Sequence, residues 1–413
     1  MPTCLFPKYR EFIPSPDMLG WHPIPHSEAS PKAVIDAEGL SRYVSMCAAP
    51  GNGGAEAIPK LEASRVTHIR PLSPRAFLRA VPSRRLGELP PGPPNRRTLL
   101  MAASSLATLL ALPAGLRTGR AETTAGASPH PFVEEIAPNV YAHRGEVAVA
   151  TRENAGDHAN MGFIVGGEAV AVVDTGGSAK VGAQLREAVR AVTDLPIRYV
   201  INTHMHPDHV LGNGAFEAEG TTFVGHHKIA RGLAARAERY LAVYEQDLGP
   251  EAFAGTKVVI PTQLIDAPTT LDLGGRQIVL TPHPTAHTDN DLTVRDSQTG
   301  TVFLGDLVFA EHIPTIDGSI LGWMAVLDTL AAEPAERVVP GHGPSSMAWP
   351  DAAKPIRHYL AVIADEIRKM IADNRTLSEA TQSVGLSEKD AWELFDAYHG
   401  RNVSAAFAEL EWE

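Results

Sequence analysis

The stretch Thr203-His204-Met205-His206-Pro207-Asp208-His209 places three imidazoles and a carboxylate within six residues. Neutral imidazole and carboxylate are the ligands that borderline divalent metals prefer, and a catalytic metal needs several of them at fixed spacing. A single histidine in a loop usually means nothing. Four potential donors so close together point to a metal cradle. One loop cannot surround a metal, however, so further donors must come from elsewhere in the chain. Three positions qualify. His287 lies in Pro284-Thr285-Ala286-His287-Thr288-Asp289-Asn290-Asp291, Asp306 in the pair Gly305-Asp306, and His342 in Pro340-Gly341-His342-Gly343. Taken singly each reads as readily as a structural residue; seven together are hard to explain without a metal.

These donors must be delivered by strands. The apolar run Ile197–Ile201 directly precedes the first cluster, and Gln277–Thr281, Thr301–Leu304 and Val338-Val339 precede the other three positions. Each reads as a short strand ending at a turn-permissive residue, where irregular backbone can aim a side chain.

The order HxHxDH, a lone His, an Asp in a Gly-Asp pair and then PGHG resembles the metallo-β-lactamase-fold hydrolases, over roughly Val140 to the C-terminus. The wording around the motifs, AHTDNDLTV, FLGDLVF, DGSILGW and the ending YHGRNVSAAFAELEWE, is most similar to the quinoprotein relay system zinc metallohydrolases, also described as SoxH-like. The resemblance implies an α/β (α+β) fold, a four-layer αββα sandwich with a two-zinc site at one edge. It implies that His204, His206 and His287 hold one zinc, that Asp208, His209 and His342 hold the other, and that Asp306 bridges them. His204, His206, Asp208 and His287 would carry the catalysis, with a metal-bridging hydroxide as nucleophile. β-Lactamases of this fold carry cysteine or serine in place of the bridging Asp, whereas thioester, lactone and phosphodiester hydrolases keep it.

The expected activity is therefore hydrolysis of an ester, thioester, lactone or similar bond in a small-molecule substrate, in the service of a quinoprotein dehydrogenase pathway. Two alternatives stay open: β-lactam hydrolysis, and a non-hydrolytic accessory protein handling metal or sulfur. Iron suits the same His and Asp donors as zinc and would turn the reading toward an oxidoreductase.

The rest of the chain sets the context. Residues 1–121 carry 15 Lys+Arg and 8 Asp+Glu, a net of +7; subtraction from the totals of 36 and 48 leaves 21 and 40, a net of −19, on residues 122–413. An acidic body argues against nucleic acid as a partner, because phosphate binding needs a basic footprint. Residues 1–95 are proline-rich without sustained apolar periodicity and read as a disordered leader, or as the product of a start codon placed too far upstream. Residues 96–121, from Arg96-Arg97 through the apolar run Leu99–Leu112 to Arg120-Ala121, have the layout of a signal peptide, the paired arginines suggesting the twin-arginine route. The run is too short for a permanent membrane span. The expected location is the periplasm. Both cysteines, Cys4 and Cys47, fall in the leader, which removes thiolate ligands from the body.

Residues 130–350 are expected to form the metallo-β-lactamase-fold domain and 351–413 a helical extension packed on it. Gly162–Val165 and Ala169–Val173 predict paired strands, Ser178 caps a helix carrying Val181, Leu185 and Val189 on one face, and Lys228–Gln246, Lys354–Asp373, Leu386–Tyr398 and Val403–Trp412 predict further helices. Val170–Gly176 and Thr301–Leu307 are similar phrases, each an apolar strand ending in Asp, as two related halves would give. Asp174 is expected beside the metals, orienting a ligand imidazole, or else stabilising a turn. The adjacent His226-His227 reads as the start of a helix rather than a third metal site. His158, Asn160, His312 and Trp323 are candidates for the pocket wall, with ordinary rim positions as the alternative.

Overall fold

The computed structural model describes residues 130–413. The leader, the export segment and both cysteines lie outside the described residues. Two sheets face each other. The first runs in the order β1 (Glu134–Ala137), β2 (Val140–His143), β3 (Met161–Val165), β4 (Val170–Val173), β5 (Ile197–Ile201), β6 (Thr222–His226) and β7 (Gln263–Ile265). The second runs β12 (Arg337–His342), β11 (Thr301–Phe309), β10 (Leu292–Asp296), β9 (Gln277–Pro282), β8 (Thr269–Asp272). β3 and β4 form the predicted hairpin, registered from Gly162 opposite Val173 to Val165 opposite Val170. From β4 onward the first sheet is parallel, so each strand needs a crossover. The first crossover is helix α1 (Ala179–Val192), whose opening N–H of Val181 is capped by Ser178 Oγ at 3.2 Å.

Strand side chains alternate between two apolar environments, because both faces of both sheets are covered. Ile164, Ala171, Val173 and Ile201 from the first sheet meet Ile278, Leu280, Val294 and Phe303 from the second in a central core. On the outer face of the first sheet, Phe163, Val172 and Val200 pack against Val181, Leu185 and Val189 of α1 and Tyr244 and Leu248 of α3 (Ile229–Phe253). A short helix, α2 (Pro207–Val210), lies between them in sequence. The second sheet's outer face, with Val302, Leu304 and Val338, is covered by α4 (Ile320–Ala331), α5 (Ala353–Ala372) and α7 (Phe395–Leu410), and α6 (Leu377–Ser383) packs alongside. Helix, sheet, sheet, helix is the four-layer order expected from the sequence. No described helix is long and apolar enough to cross a membrane.

Two local expectations are corrected. Leu386–Tyr398 is not one helix: Leu386–Ala391 forms a 3-10 turn, Trp392 is extended and Leu394 is left-handed. Glu393 N donates to Glu311 O at 2.8 Å and its carbonyl accepts from Ile313 N at 3.0 Å, so a backbone pairing with the 311–313 segment outweighs helical propensity there. Leu394 sits at φ 59° and restarts the chain as α7, which absorbs the separate helix expected at Val403–Trp412. The strand ending at Leu304 instead continues through Asp306 to Phe309.

One buried ion pair ties the two sheets together. Arg276, in the β8–β9 turn, donates Nε and Nη2 to the Asp296 carboxylate at 2.9 and 2.7 Å, while Nη1 reaches Val165 O and Nη2 reaches Pro138 O in the first sheet. Arg276→Ala would leave Asp296 buried without its partner and two carbonyls unpaired. The expected loss is about 3 kcal/mol, read as a lower urea midpoint at unchanged slope. Loss within 0.5 kcal/mol of zero would show that the pair is solvated in solution.

Candidate metal centre

The donors are brought together where strands of both sheets end. β5 delivers the HxHxDH loop, the β9–β10 connection delivers His287, and β12 ends on His342. Pro207 occupies the first turn of α2, a position that tolerates its missing N–H, and fixes the turn that presents Asp208 and His209. Asp306 lies within β11, where the register against β12 shifts around the pairing of Gly305 with Pro340. Gly305 has φ 51° and packs against Thr203, so a side chain there would be both strained and obstructed. A Cβ at Gly341 would collide with the Asp306 carboxylate itself. The glycines of GD and PGHG therefore clear the space that Asp306 occupies.

Donor atoms converge in two groups joined by Asp306. In the first, His287 Nε2 lies 2.9 Å from His206 Nδ1 and 3.3 Å from Asp306 Oδ2, with His204 Nε2 3.6 Å from the same oxygen. In the second, His209 Nε2 is 3.1 Å from Asp306 Oδ1, His342 Nε2 is 3.5 Å from Asp306 Oδ2, and Asp208 Oδ2 is 3.4 Å from His342 Nε2 and 3.7 Å from His209 Nε2. All seven residues singled out in the sequence are brought together. The structure adds an eighth, His158, whose Nδ1 is 3.5 Å from Asp208 Oδ2.

Every imidazole of the seven is fixed from behind. Thr203 Oγ1 gives its proton to Asp174 Oδ2 at 2.7 Å and so accepts from His204 Nδ1 at 3.0 Å. His209 Nδ1 donates to Asp174 Oδ2 at 2.9 Å, His287 Nδ1 to Thr315 O at 2.8 Å, His342 Nδ1 to His158 O at 2.8 Å, and His206 Nε2 to Asp317 Oδ2 at 3.0 Å. With the outward nitrogen protonated in each ring, the inward nitrogen presents a lone pair. His204 Nε2, His209 Nε2 and Asp306 Oδ1 are buried without a hydrogen-bond partner. Unpaired buried acceptors are costly, and cations held by the two groups would satisfy all three. The residues fit a metal.

The electrostatics are divided in the same way. Burial, joined by the neighbouring imidazoles, holds His204 well below the usual histidine range and pushes His287 down to about 3. Burial acts against the charge of His209 and His342 too, but Asp306 and Asp208 outweigh it, holding His209 well above its ordinary value and His342 up at about 9. Burial alone would raise Asp208 and Asp306; the imidazoles of His209 and its neighbours instead keep both carboxyls well below the carboxylate range. Two carboxylates in a desolvated pocket thus create a negative field that must be met by protons or by metal.

Residues 155–342 match the profile of the Metallo-beta-lactamase superfamily. Those residues form a metallo-beta-lactamase superfamily domain. The match ends on His342, the last of the converging donors. Among solved structures, a double mutant of the sec-alkyl sulfatase PisA1 shares the fold at TM-score 0.52 and 15% identity, with 67% of this chain and 49% of that chain covered, so the chain spans about half of that sulfatase. A metallo-beta-lactamase from Pontibacter korlensis has TM-score 0.46 and 20% identity, covering 55% of this chain and 98% of that one. TMB-1 has TM-score 0.44 and 17% identity, covering 55% and 96%. At 15% identity the likeness to the sulfatase is one of fold alone. No curated protein matches the sequence. The superfamily is made up mostly of hydrolases, and the His/Asp clusters of this domain are able to hold metal ions, as a metal-dependent hydrolase requires.

Around these donors, the other sequence candidates divide. His158 stands in the pocket, its Nε2 3.1 Å from Tyr244 Oη, and the His312 ring lies 4.9 Å from that of His342. Asn160 is structural: its amide donates to Pro340 O at 2.9 Å and to Gly343 O and Pro344 O at 3.2 Å, and so shapes the PGHG turn. Trp323 is fully buried, donates to Leu307 O and backs His287 at 5.1 Å between ring centres, behind the donors rather than on the pocket wall. His226 and His227 stack on each other at 4.2 Å but join no group able to hold a metal among the described residues. Asp174 takes the orienting role expected of it. Asp317 was not singled out, because an Asp before Gly318-Ser319 reads as a turn residue.

Asp174→Ala tests the backing of His209. Removing this partner should lower zinc affinity about 10- to 100-fold, measured by competition with a chromogenic chelator, while the chain stays folded by circular dichroism. Unchanged affinity would mean that His209 is positioned by packing alone.

Proposed function

We propose that the chain is a dinuclear zinc hydrolase of ester, thioester, lactone or similar bonds, exported to the periplasm and accessory to a quinoprotein dehydrogenase system. His204, His206 and His287 hold one zinc, Asp208, His209 and His342 the other, and Asp306 contributes to both. The observation that carries this reading is Asp306: one carboxylate within 3.1 to 3.6 Å of inward nitrogens from both groups. Two closed structural zinc sites would take eight protein ligands, whereas here seven side chains serve both metals with one carboxylate shared, which leaves coordination free for water and substrate. Bound there, two zincs would supply a water ionised near neutral pH and polarise the scissile carbonyl. The protein's own residues orient and exclude. Asp174, Asp317, Thr315 O and His158 O fix the rings, and the buried walls keep bulk water from the donors. His158, held below the ordinary histidine value chiefly by burial, is fixed beside Asp208 by its Nε2 contact with Tyr244 Oη at 3.1 Å.

Support for the quinoprotein assignment comes from the sequence phrases, and support for export from the Arg96-Arg97 segment. Elemental analysis of the purified full chain, paired with turnover of a thioester, a lactone, a phosphodiester and a chromogenic β-lactam, tests the reading. About two zincs per chain with turnover of one substrate are expected. Zinc without turnover favours an accessory protein, and iron favours oxidoreductase chemistry.

A further inference from the structure

The donors are sealed on most sides: His204, His209 and His287 are fully buried. Exposure rises at His206, whose side chain is 14% exposed, and at its partner Asp317, 22% exposed, so the opening lies there. Two helices from opposite layers reach this point. Arg236 of α3 brings Nη2 to 3.6 Å from Asp317 Oδ2, and Arg401 of α7 brings Nη2 to 4.0 Å from Asp317 Oδ1. Both separations are too long for hydrogen bonds. Asp317 already accepts from His206, and one carboxylate beside two guanidiniums leaves an excess of one positive charge. Among the described residues the Arg401 guanidinium makes no hydrogen bond, and Arg236 makes only a weak one, to Met205 Sδ at 3.5 Å. Their side chains are 52% and 38% exposed, so both guanidiniums are open to solvent beside Asp317.

A purely structural pair would close on Asp317 instead of standing off from it. Local charge also stands out against the surroundings, since residues 122–413 carry 21 Lys+Arg against 40 Asp+Glu. Tyr240, one turn beyond Arg236 on α3, is half-buried beside Arg236 and Asp317, and Tyr398, one turn before Arg401 on α7, sets its ring 5.1 Å from that of His312. Planar guanidinium forks matched to a carboxylate give bidentate recognition that a lysine would not.

We propose that Arg236 and Arg401 form a carboxylate-binding clamp at the mouth of the metal site, so that the preferred substrates carry a free carboxylate remote from the bond that is cleaved. The proposal rests on the hydrolase reading above and makes the C-terminal helix α7 part of the substrate site. Two matched pairs test it on the zinc-loaded full chain. The first is the S-phenyl monothioester of glutaric acid against its methyl ester, followed by turnover. The second is glutarate against monomethyl glutarate, followed by calorimetry without turnover; both members keep one carboxylate for the metals, and only glutarate has a second for the clamp.

The wild type should prefer the charged member of each pair. Arg401→Gln and Arg236→Gln should each reduce that preference about tenfold or more, through KM rather than kcat, and Arg401→Lys should restore part of it. Equal losses on charged and neutral members, or an unchanged ratio, would overturn the clamp. Absence of turnover for both thioesters, with the calorimetric preference present in the wild type and lost in the variants, would sink the hydrolase reading and support the clamp. Use of both variants guards against one of them failing to fold.

Discussion

Asp306→Ala is expected to lower kcat/KM about a thousandfold or more, equivalent to about 4 kcal/mol of transition-state stabilisation, and to strip most of the bound metal. The reason is positional. Asp306 Oδ2 lies 3.6 Å from His204 Nε2, 3.3 Å from His287 Nε2 and 3.5 Å from His342 Nε2, and Oδ1 lies 3.1 Å from His209 Nε2. No other side chain among the described donors belongs to both groups. Its loss would leave the inward nitrogens of His204, His206 and His287 with no anion among them and those of His209 and His342 with Asp208 alone, so each metal would lose a ligand and the first group its only inward carboxylate. The fold should survive, because Asp306 contributes little to the apolar core that holds β11. Circular dichroism and a urea curve close to wild type would confirm this. Asp306→Asn keeps the shape but not the charge, and should bind metal more weakly than wild type and more tightly than the alanine variant. Wild-type turnover by Asp306→Ala would refute the two-group assignment outright.

The contrast between what was and was not legible in the sequence follows from how each residue is specified. His204, His206, Asp208 and His209 are adjacent in the chain, and a buried strand before them makes the loop's purpose readable. His287, Asp306 and His342 are scattered, but each follows a short apolar run, and residue type with strand-end position is enough. Asp174 could be inferred because its strand phrase is similar to that before Asp306; the structure sets the two carboxylates on opposite nitrogens of the same His209 ring. Asp317, Arg236 and Arg401 meet only in three dimensions. They come from a loop and two helices of opposite layers, and each alone looks like an ordinary surface charge. The break in the helix expected over Leu386–Tyr398 has a related cause: helical propensity is local, whereas the pairing of Glu393 with residues 311–313 that interrupts it is not. Long-range contacts decide what local pattern leaves open.

Removing the metal should destabilise the protein, and by more at high pH. A ligand that binds only the folded state stabilises it by RT ln(1 + [L]/Kd), about 4 kcal/mol at a thousandfold excess over Kd. Chelation should therefore lower the melting temperature by several degrees, reversibly on zinc return. The pH dependence follows from what replaces the metal. Without it, the field of Asp306 and Asp208 is met by protons on His209, held well above its ordinary value, and on His342, raised from 6.5 to about 9. A histidine whose folded pKa is raised contributes stability that is fully present below the unfolded pKa and is lost as pH rises through the folded one. The metal-free protein should accordingly lose stability between pH 6.5 and about 9, as the His342 proton is shed and the two carboxylates face each other unscreened. The zinc form has no such proton to lose at these nitrogens, because metal binding requires them neutral. Melting curves with and without chelator at pH 6.5 and pH 9 should thus diverge with rising pH, and calorimetry of zinc loading at neutral pH should register proton release. A gap that narrows toward pH 9 would show that His209 and His342 are neutral in the metal-free site, and that its acidic field is met in some other way.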